Sequence, residues 1–177
     1  MKDFKGSIFD YTKAIELYKV ENSNKEDLDF KAKLFCLRGR AKLFLDDYRG
    51  ALEDFNSGIE LDGTQYIYYQ SRGGCKYGLD DYNGAIEDYN KAIEIDSSNS
   101  SNYFWRGLSK NIIENYEGAI LDFDKVIELD NTNSEAYYYR AICKLKINQK
   151  KGACEDFNKA SEMGNVEANN RIIENCK

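Results

Sequence analysis

The sequence contains no proline and no histidine among its 177 residues. Proline breaks or kinks helices, so its absence allows long uninterrupted helical segments. Histidine is the commonest general base and the commonest metal ligand, so its absence removes Ser–His–Asp and Cys–His catalytic sets. The chain also has no glycine-rich phosphate loop of the G-x4-G-K-[ST] type. We therefore expect a protein that is not an enzyme and that uses no catalytic residue, metal ion or cofactor.

Two further absences concern membranes and export. No apolar run approaches the roughly 20 residues that span a bilayer, and the first residues, MKDFKGSIFDY, contain no apolar segment of a secretory signal. The net charge of −6 disfavours nonspecific binding to nucleic acid and to anionic membranes. We expect no membrane insertion, no nucleic-acid partner and a cytoplasmic location, unless an upstream signal is missing from this sequence.

One stretch, DDYNGAIEDYNKAIEID, starts at Asp80 and recurs with small changes along the chain. Related copies start at Asp46, Glu114 and Asn148, so successive starts are 34 residues apart. A fifth copy starts at Lys2, which is 44 residues before the next and therefore carries an offset of ten residues. Repetition at a fixed period of this length predicts an array of stacked structural units.

Each copy has the residue spacing of a helix. In the third unit, Tyr82, Ala85, Ile86 and Tyr89 recur at helical intervals behind Asp81, which stands where an N-cap belongs. The stretch before them, YIYYQSRGGCKYGL, indicates a preceding helix that ends in the turn sequence GLDD. One such helix pair cannot bury both of its faces, so the units must stack to form a core. The pattern predicts an all-α solenoid of antiparallel helix pairs.

The 34-residue unit resembles the tetratricopeptide repeat (TPR), whose pattern is W-x2-L-G-x2-Y, then A-x3-F, then P. The aromatic opening falls on Phe35, Tyr69, Tyr103 and Tyr137, and the small residue falls on Gly39, Gly73, Gly107 and Ala141. The A-x3-F part falls on Ala51/Phe55, Ala85/Tyr89, Ala119/Phe123 and Ala153/Phe157. The match covers nearly the whole chain, although the closing proline is replaced by Gly63, Ser97, Asn131 and Asn165.

This resemblance implies a single all-α TPR domain over residues 1–177, folded as a right-handed superhelix. We expect about four full repeats, a half repeat at the N-terminus and a capping helix at the C-terminus. The expected segments are 1–18 for the half repeat, 19–31 for an insertion, 32–65, 66–99, 100–133 and 134–167 for the repeats, and 168–177 for the cap.

Charged residues occupy two slots that are apolar or aromatic in the TPR pattern. Arg38, Arg72, Arg106 and Arg140 hold the Leu slot, and Lys42, Lys76, Lys110 and Lys144 hold the Tyr slot one turn later. The second helices carry Asp54, Asp88, Asp122 and Asp156 without exception. We predict a structural ladder of partly buried, charge-assisted Arg–Asp hydrogen bonds. A solvated charged face is the alternative, and the sequence leaves open whether the pairs lie within or between repeats.

The five cysteines include no C-x-x-C pair. Cys75 and Cys143 share a repeat slot with Ala41 and Ser109, so we interpret them as small buried residues. Cys154 shares its slot with leucine and isoleucine in the other copies, and we interpret it as a small hydrophobic residue. A redox or metal-binding role is the less favoured interpretation for the whole set.

The N-terminal copy lacks a first helix, because only two residues precede Asp3. Its apolar face, formed by Phe4, Ile8, Tyr11 and Ile15, therefore has no evident partner in the sequence. Three explanations compete: a missing upstream segment, a folded-back segment 19–31, or a second chain in a homodimer through the N-terminal half repeat.

Slots that differ between repeats are free to serve a ligand, and they lie on the first helices. The resemblance to TPR proteins implies that these helices line a concave groove. We expect a peptide-binding groove formed by Lys33, Arg40, Phe44, Gln70, Tyr77, Phe104, Leu108, Asn111, Tyr138, Ile142 and Leu145. An aromatic and aliphatic surface with a basic end suits a peptide or helical segment of another protein. For each aromatic residue, packing between units is the alternative.

Two functions are compatible with these features. The first is a non-catalytic scaffold or adaptor that binds a segment of a partner protein. The second is a regulatory or assembly module that is a fragment of a larger multidomain protein. Some TPR proteins hold acidic chaperone C-termini with a clamp of Lys, Asn and Arg, and the corresponding places here carry Cys36, Arg40, Ser71, Gly74, Ser101 and Trp105. The sequence therefore argues against chaperone-tail binding.

Overall fold

The structure is a computed structural model that describes residues 3–18 and 24–176. Over these residues it contains ten α-helices and no strand. The helices are α1 (Phe4–Leu17), α2 (Lys25–Leu43), α3 (Tyr48–Leu61), α4 (Tyr66–Gly78), α5 (Tyr82–Ile95), α6 (Ser100–Ile112), α7 (Tyr116–Leu129), α8 (Ser134–Lys146), α9 (Lys150–Glu162) and α10 (Val166–Asn175). The prediction of an all-α fold is confirmed.

The chain divides into two compact units, Met1–Asp96 and Ser97–Lys177. In the first unit, α2 packs on α3 and α4 packs on α5, while α1 and α3 each pack on the helix that follows them. In the second unit, α6 packs on α7 and α8 packs on α9, while α7 packs on α8 and α10 packs on α9. Each unit is therefore a stack of consecutive helix pairs.

The turn inside each helix pair places a residue other than glycine in the left-handed region of backbone space. Asp46, Asp80, Glu114 and Asn148 have φ values between 58° and 63°. The next residue is the N-cap of the second helix, and at Asp47 the cap carboxylate accepts a hydrogen bond from the Gly50 amide. The left-handed residue reverses the chain so that the two helices of a pair run antiparallel.

Close approach of the paired helices depends on the small residue in the first helix. A Cβ atom added to Gly107 would lie 3.0 Å from the Phe123 ring, and one added to Gly73 would lie 3.0 Å from the Tyr89 ring. Both rings are essentially fully buried. The glycine and the aromatic ring therefore interlock, as the A-x3-F part of the pattern predicts.

Helix α2 is longer than the other first helices. It begins at Lys25 behind a capping box formed by Asn24 and Asp27, and it spans 19 residues. The hydroxyl of Tyr18 donates to Asp27 at 2.8 Å, which ties the end of α1 to the start of α2. The segment 19–31, expected to be an insertion, lies partly outside the described residues, because residues 19–23 are not described.

A disulfide bond joins Cys154 of α9 to Cys176 at the end of α10. The interpretation of Cys154 as a small hydrophobic residue is therefore wrong, and for this pair so is the preference against a redox role. Cys154 stands in a slot that is apolar in the other copies, and Cys176 lies beyond the last repeat, so repeat comparison could not pair them. The remaining cysteines, Cys36, Cys75 and Cys143, are free and buried, as expected.

Candidate functional site

The invariant charged residues form a compact ion cluster inside each helix pair. In the first pair, Arg38 Nη2 lies 2.6 Å from Asp54 Oδ1, and Arg38 Nε donates to Oδ2 at 2.9 Å. Lys42 Nζ lies 2.9 Å from the same Oδ2. The carboxylate is only 2% exposed, so its charge depends on these two cations.

The same cluster recurs in the other three pairs, formed by Arg72, Lys76 and Asp88, by Arg106, Lys110 and Asp122, and by Arg140, Lys144 and Asp156. Each arginine thus bonds to the aspartate 16 residues later, within its own pair. Each guanidinium also lies over the aromatic ring three residues before it, at 5.4 to 5.6 Å from the centroid.

Several arginines make a further contact with the preceding helix pair. Arg72 Nη1 donates to the side chain of Asn56 at 2.9 Å, and Arg140 Nη1 donates to Asp124 at 2.6 Å. The hydrogen bond to Asp88 raises the pKa of Arg72. These side chains therefore form ion pairs and hydrogen bonds both within a helix pair and to the preceding pair.

The first unit presents an open face between α2 and α4. Arg40 and Phe44 are exposed there, and together with Leu43 and Ser71 they line a cleft of about 270 Å³. Lys33, also predicted for the groove, is exposed on α2. These are the variable residues of the first helices, and the cleft combines a cation with apolar surface.

Two predicted groove residues of the first unit are less accessible. Gln70 and Tyr77 are half-buried on α4. The Tyr77 ring packs edge-on against Tyr82 with 5.4 Å between centroids. Tyr77 therefore packs between α4 and α5, and only part of its side chain is accessible to a ligand.

In the second unit the predicted groove aromatics pack between helices. Phe104 is half-buried, and its ring lies 5.9 Å from that of Phe123 and 6.0 Å from that of Tyr139. Tyr138 is also half-buried and lies 5.9 Å from the Phe157 ring. These contacts join α6 to α7 and α8, and α8 to α9.

The aliphatic and polar members of the set in the second unit differ in exposure. Leu108 is buried, with 8% of its surface exposed. Asn111 is half-buried and accepts a hydrogen bond from the thiol of Cys143 at 3.3 Å. Ile142 and Leu145 are half-buried and pack against the core of this unit. Of these four residues, Leu108 offers the least surface to a ligand.

Trp105 is a surface residue that the predicted groove set omits. It is 40% exposed on α6, and it is the single tryptophan of the chain. Its repeat slot holds Ser71 in the third unit, and Ser71 lines the cleft between α2 and α4. The sequence signal was available, because Trp105 is a large aromatic residue in a variable slot of a first helix.

No group of three or more His, Cys, Asp or Glu side chains in residues 3–18 and 24–176 is arranged to hold a metal ion. Over the same residues, none of the helices has the length and apolar character needed to cross a bilayer.

Stacked antiparallel helix pairs with a 34-residue period define a helical-repeat protein. Residues 77–110 match the family described as TPR repeat, and residues 123–155 match the family described as Tetratricopeptide repeat. A search of curated proteins found no match. The chain therefore contains tetratricopeptide repeats, as its repeat pattern predicts.

Solved structures of TPR proteins share the fold. The crystal structure of MamA matches with a TM-score of 0.80 and 22% identity, over 94% of this chain and 92% of that chain. YrrB, described as a TPR protein with an unusual peptide-binding site, matches with a TM-score of 0.74 and 16% identity, over 91% of this chain and 81% of that one. The first TPR of Spaghetti (RPAP3), bound to the HSP90 peptide SRMEEVD, matches with a TM-score of 0.66 and 22% identity, over 68% and 95%.

Proposed function

We propose that the chain is a non-catalytic interaction scaffold whose first helices bind a peptide or helical segment of another protein. The observation that carries this proposal is the cleft between α2 and α4, where exposed Arg40 and Phe44 stand in variable repeat slots. The cation would fix the position of a bound peptide along the cleft. The exposed aromatic ring would supply the apolar contact area that stabilises binding.

Two structural relatives support the peptide as the class of ligand. YrrB is described as having a peptide-binding site, and the Spaghetti domain is bound to a peptide of HSP90. That peptide, SRMEEVD, is acidic. This chain presents Arg40 and Lys33 on α2, but its variable slots lack a repeated set of cations along successive first helices. We therefore propose a ligand with apolar anchors and few acidic residues.

The location of the protein bears on its partners. The sequence predicts the cytoplasm, but the Cys154–Cys176 disulfide is typical of proteins in oxidising compartments. We therefore propose partners that meet this protein outside a strongly reducing environment.

Trp105 provides a direct test, because it is the single tryptophan and is exposed on the proposed binding face of the second unit. A displayed library of random peptides would be selected on the wild-type chain. The selected peptides would then be titrated while the tryptophan emission is recorded. We expect a blue shift on binding, because a bound peptide removes water from the indole.

The matched variants compare the two sides of the second unit. Tyr138→Ala changes a first-helix residue, and Leu121→Glu changes a residue of the second helix α7 that is 68% exposed. We expect the first change to weaken binding about tenfold or more, as for a central aromatic anchor, and the second to leave it unchanged. Loss of binding in Leu121→Glu with retention in Tyr138→Ala would contradict the proposal.

A further inference from the structure

Helix α2 exposes a stripe of charged and apolar side chains along one of its faces. Leu37, Arg40 and Phe44 follow one another at intervals of three and four residues, so they lie on the same side of the helix. All three are exposed, Leu37 by 40% and Phe44 by 65%. Lys33 begins this stripe one turn earlier and is exposed as well. The stripe therefore offers both charge and apolar area to a ligand.

Two cavities flank the stripe, and both lie within the first unit. One of about 520 Å³ is formed between α1 and α2, and the cleft of about 270 Å³ is formed between α2 and α4. Arg40 and Phe44 line both of them. The two cavities are therefore adjacent parts of one surface. We call this surface the Arg40 groove, and its main side chains are Asp10, Leu37, Arg40, Leu43, Phe44 and Ser71.

The charges of the Arg40 groove are separated along its length. Asp3 and Asp10 line the larger cavity on the α1 side, whereas Arg40 stands where the two cavities meet. The Asp3 carboxylate already accepts a hydrogen bond from the Gly6 amide. The side chains of Asp10 and Arg40 are exposed, and neither has a hydrogen bond or an ion pair with the other residues in 3–18 and 24–176. These two opposite charges are therefore available to a ligand.

Phe44 gives the Arg40 groove an ordered apolar surface. Its ring stacks on the ring of Phe4, with 4.5 Å between the centroids and 13° between the planes. Leu37 extends the apolar surface into the larger cavity, and Leu43 extends it into the smaller cleft. A ring that is already held in place loses little conformational entropy when a ligand binds. Phe44 is therefore suited to hold an apolar anchor of a peptide.

We propose that the Arg40 groove binds a peptide segment that presents a basic residue, an acidic residue and an apolar residue, in this order from α1 to α4. The basic residue pairs with Asp10 in the larger cavity, and the acidic residue pairs with Arg40. The apolar residue lies against Phe44 and Leu43 in the smaller cleft. This inference rests on the proposed function, because it names the chemistry of the peptide that the α2/α4 cleft binds.

Two opposite charges in one groove select against segments that carry a single sign of charge. A wholly acidic segment would set a carboxylate against Asp10, and a wholly basic segment would set a cation against Arg40. The neighbouring Arg38 does not replace Arg40, because its guanidinium is bound to Asp54 and to Thr12. Recognition of the acidic residue therefore depends on Arg40.

The test is a peptide-display selection carried out in parallel on several forms of the full chain. A phage library of random peptides would be selected on the wild-type chain, on Arg40→Glu and on Asp10→Lys. Arg49→Glu and Glu16→Lys are the matched controls, because both residues are exposed charges of the first unit that line neither cavity. Circular dichroism would verify that each variant is folded, and sequencing would give the composition of each selected pool.

The composition of each pool should follow the charge of the groove. Peptides selected on the wild-type chain should share a basic, an acidic and an aromatic or aliphatic residue. Arg40→Glu should replace the acidic residue by a basic one in the selected pool, and Asp10→Lys should replace the basic residue by an acidic one. The two controls should give the wild-type pattern. By fluorescence anisotropy, a wild-type-selected peptide should bind Arg40→Glu about tenfold or more weakly, and changing its acidic residue to lysine should restore binding to that variant.

The outcomes separate this inference from the proposed function. Pools of the same composition on all five chains would overturn the inference. If Tyr138→Ala then abolished binding of the selected peptides, the proposed function would stand, with the ligand on the second unit. A wild-type selection that enriches no peptide would contradict both. Sedimentation of a wild-type dimer that Arg40→Glu dissociates would also overturn the inference, because a second copy of the chain would then occupy the groove.

Discussion

Nη1 of Arg140 lies 2.6 Å from Oδ1 of Asp124, which belongs to the preceding helix pair, while Nη2 bonds to Asp156 of its own pair. One planar guanidinium thus joins two successive second helices. The two carboxylates differ in environment, because the Asp156 side chain is 7% exposed and the Asp124 side chain is 47% exposed. The same cation therefore takes part in one buried and one exposed ion pair.

This difference predicts unequal effects of the same substitution. Asp156→Asn should lower the free energy of unfolding by about 3 kcal/mol, because Arg140 and Lys144 then remain partly buried without their counter-charge. Asp124→Asn should cost about 0.5 kcal/mol, since exposed ion pairs contribute little. In addition, Asn56 already fills the equivalent slot towards Arg72. Urea denaturation followed by circular dichroism measures both values, and equal losses would contradict the prediction.

The turns between paired helices offer a way to stabilise the protein. Glu114 has a φ of 63°, which lies in the left-handed region of backbone space. This conformation is higher in free energy for a residue with a Cβ atom than for glycine. Glu114→Gly should raise the free energy of unfolding by about 0.5–1 kcal/mol, after allowance for the greater freedom of glycine in the unfolded chain. Asn148→Gly is the control, because asparagine tolerates its φ of 62° and should gain less. A larger gain at Asn148 than at Glu114 would exclude this explanation.

The disulfide should hold the C-terminal helix in place. Cys154→Ser with Cys176→Ser should lower the local stability of α10 by about 3 kcal/mol, because the bond closes a loop between residues 22 apart. Hydrogen exchange should become faster in α10 and stay unchanged in α1 to α5. Alkylation in denaturant should label three thiols before reduction and all five cysteines after it. Five labelled thiols without reduction would show that the bond is absent.

Buried groups with raised pKa values predict loss of stability at alkaline pH. Burial raises the pKa of Cys75 and of Tyr68 to about 12 and that of Cys36 to about 11. A raised pKa in the folded state gives full stabilisation below the unfolded-state pKa, and this stabilisation is lost as the pH rises towards the folded-state value. The free energy of unfolding should therefore fall from about pH 9 upwards, because the unfolded state loses these protons first.

Tyr68→Phe tests one contribution to this pH dependence. The Tyr68 hydroxyl is buried without a hydrogen-bond partner among the described residues. The substitution should raise the free energy of unfolding at pH 7 by about 1 kcal/mol, because an unsatisfied polar group is removed. It should also reduce the loss of stability above pH 9. A loss of stability at pH 7 would instead show that the hydroxyl is satisfied in solution.

The sequence by itself determined the helical architecture. The 34-residue period, the N-cap residues and the pairing of a small slot with an aromatic slot predict helix pairs that stack on their neighbours. These features are readable because every contact they describe is local or recurs in the next unit. Even the left-handed turn residue has a fixed place, at the start of the copies that begin at Asp46, Asp80, Glu114 and Asn148, although only the structure shows its φ.

The tertiary structure decided what the repeats do not share. The arginine of each pair could bond forwards or backwards along the stack, and only packing shows that the bidentate partner is 16 residues later. Cys154 bonds to Cys176 because α10 packs on α9, and comparison of the repeats does not predict this contact. The cavity beside Asp10 is lined by residues of both α1 and α2, which only their packing brings together. Repetition encodes the contacts between units, whereas the ends of the array depend on contacts that occur once.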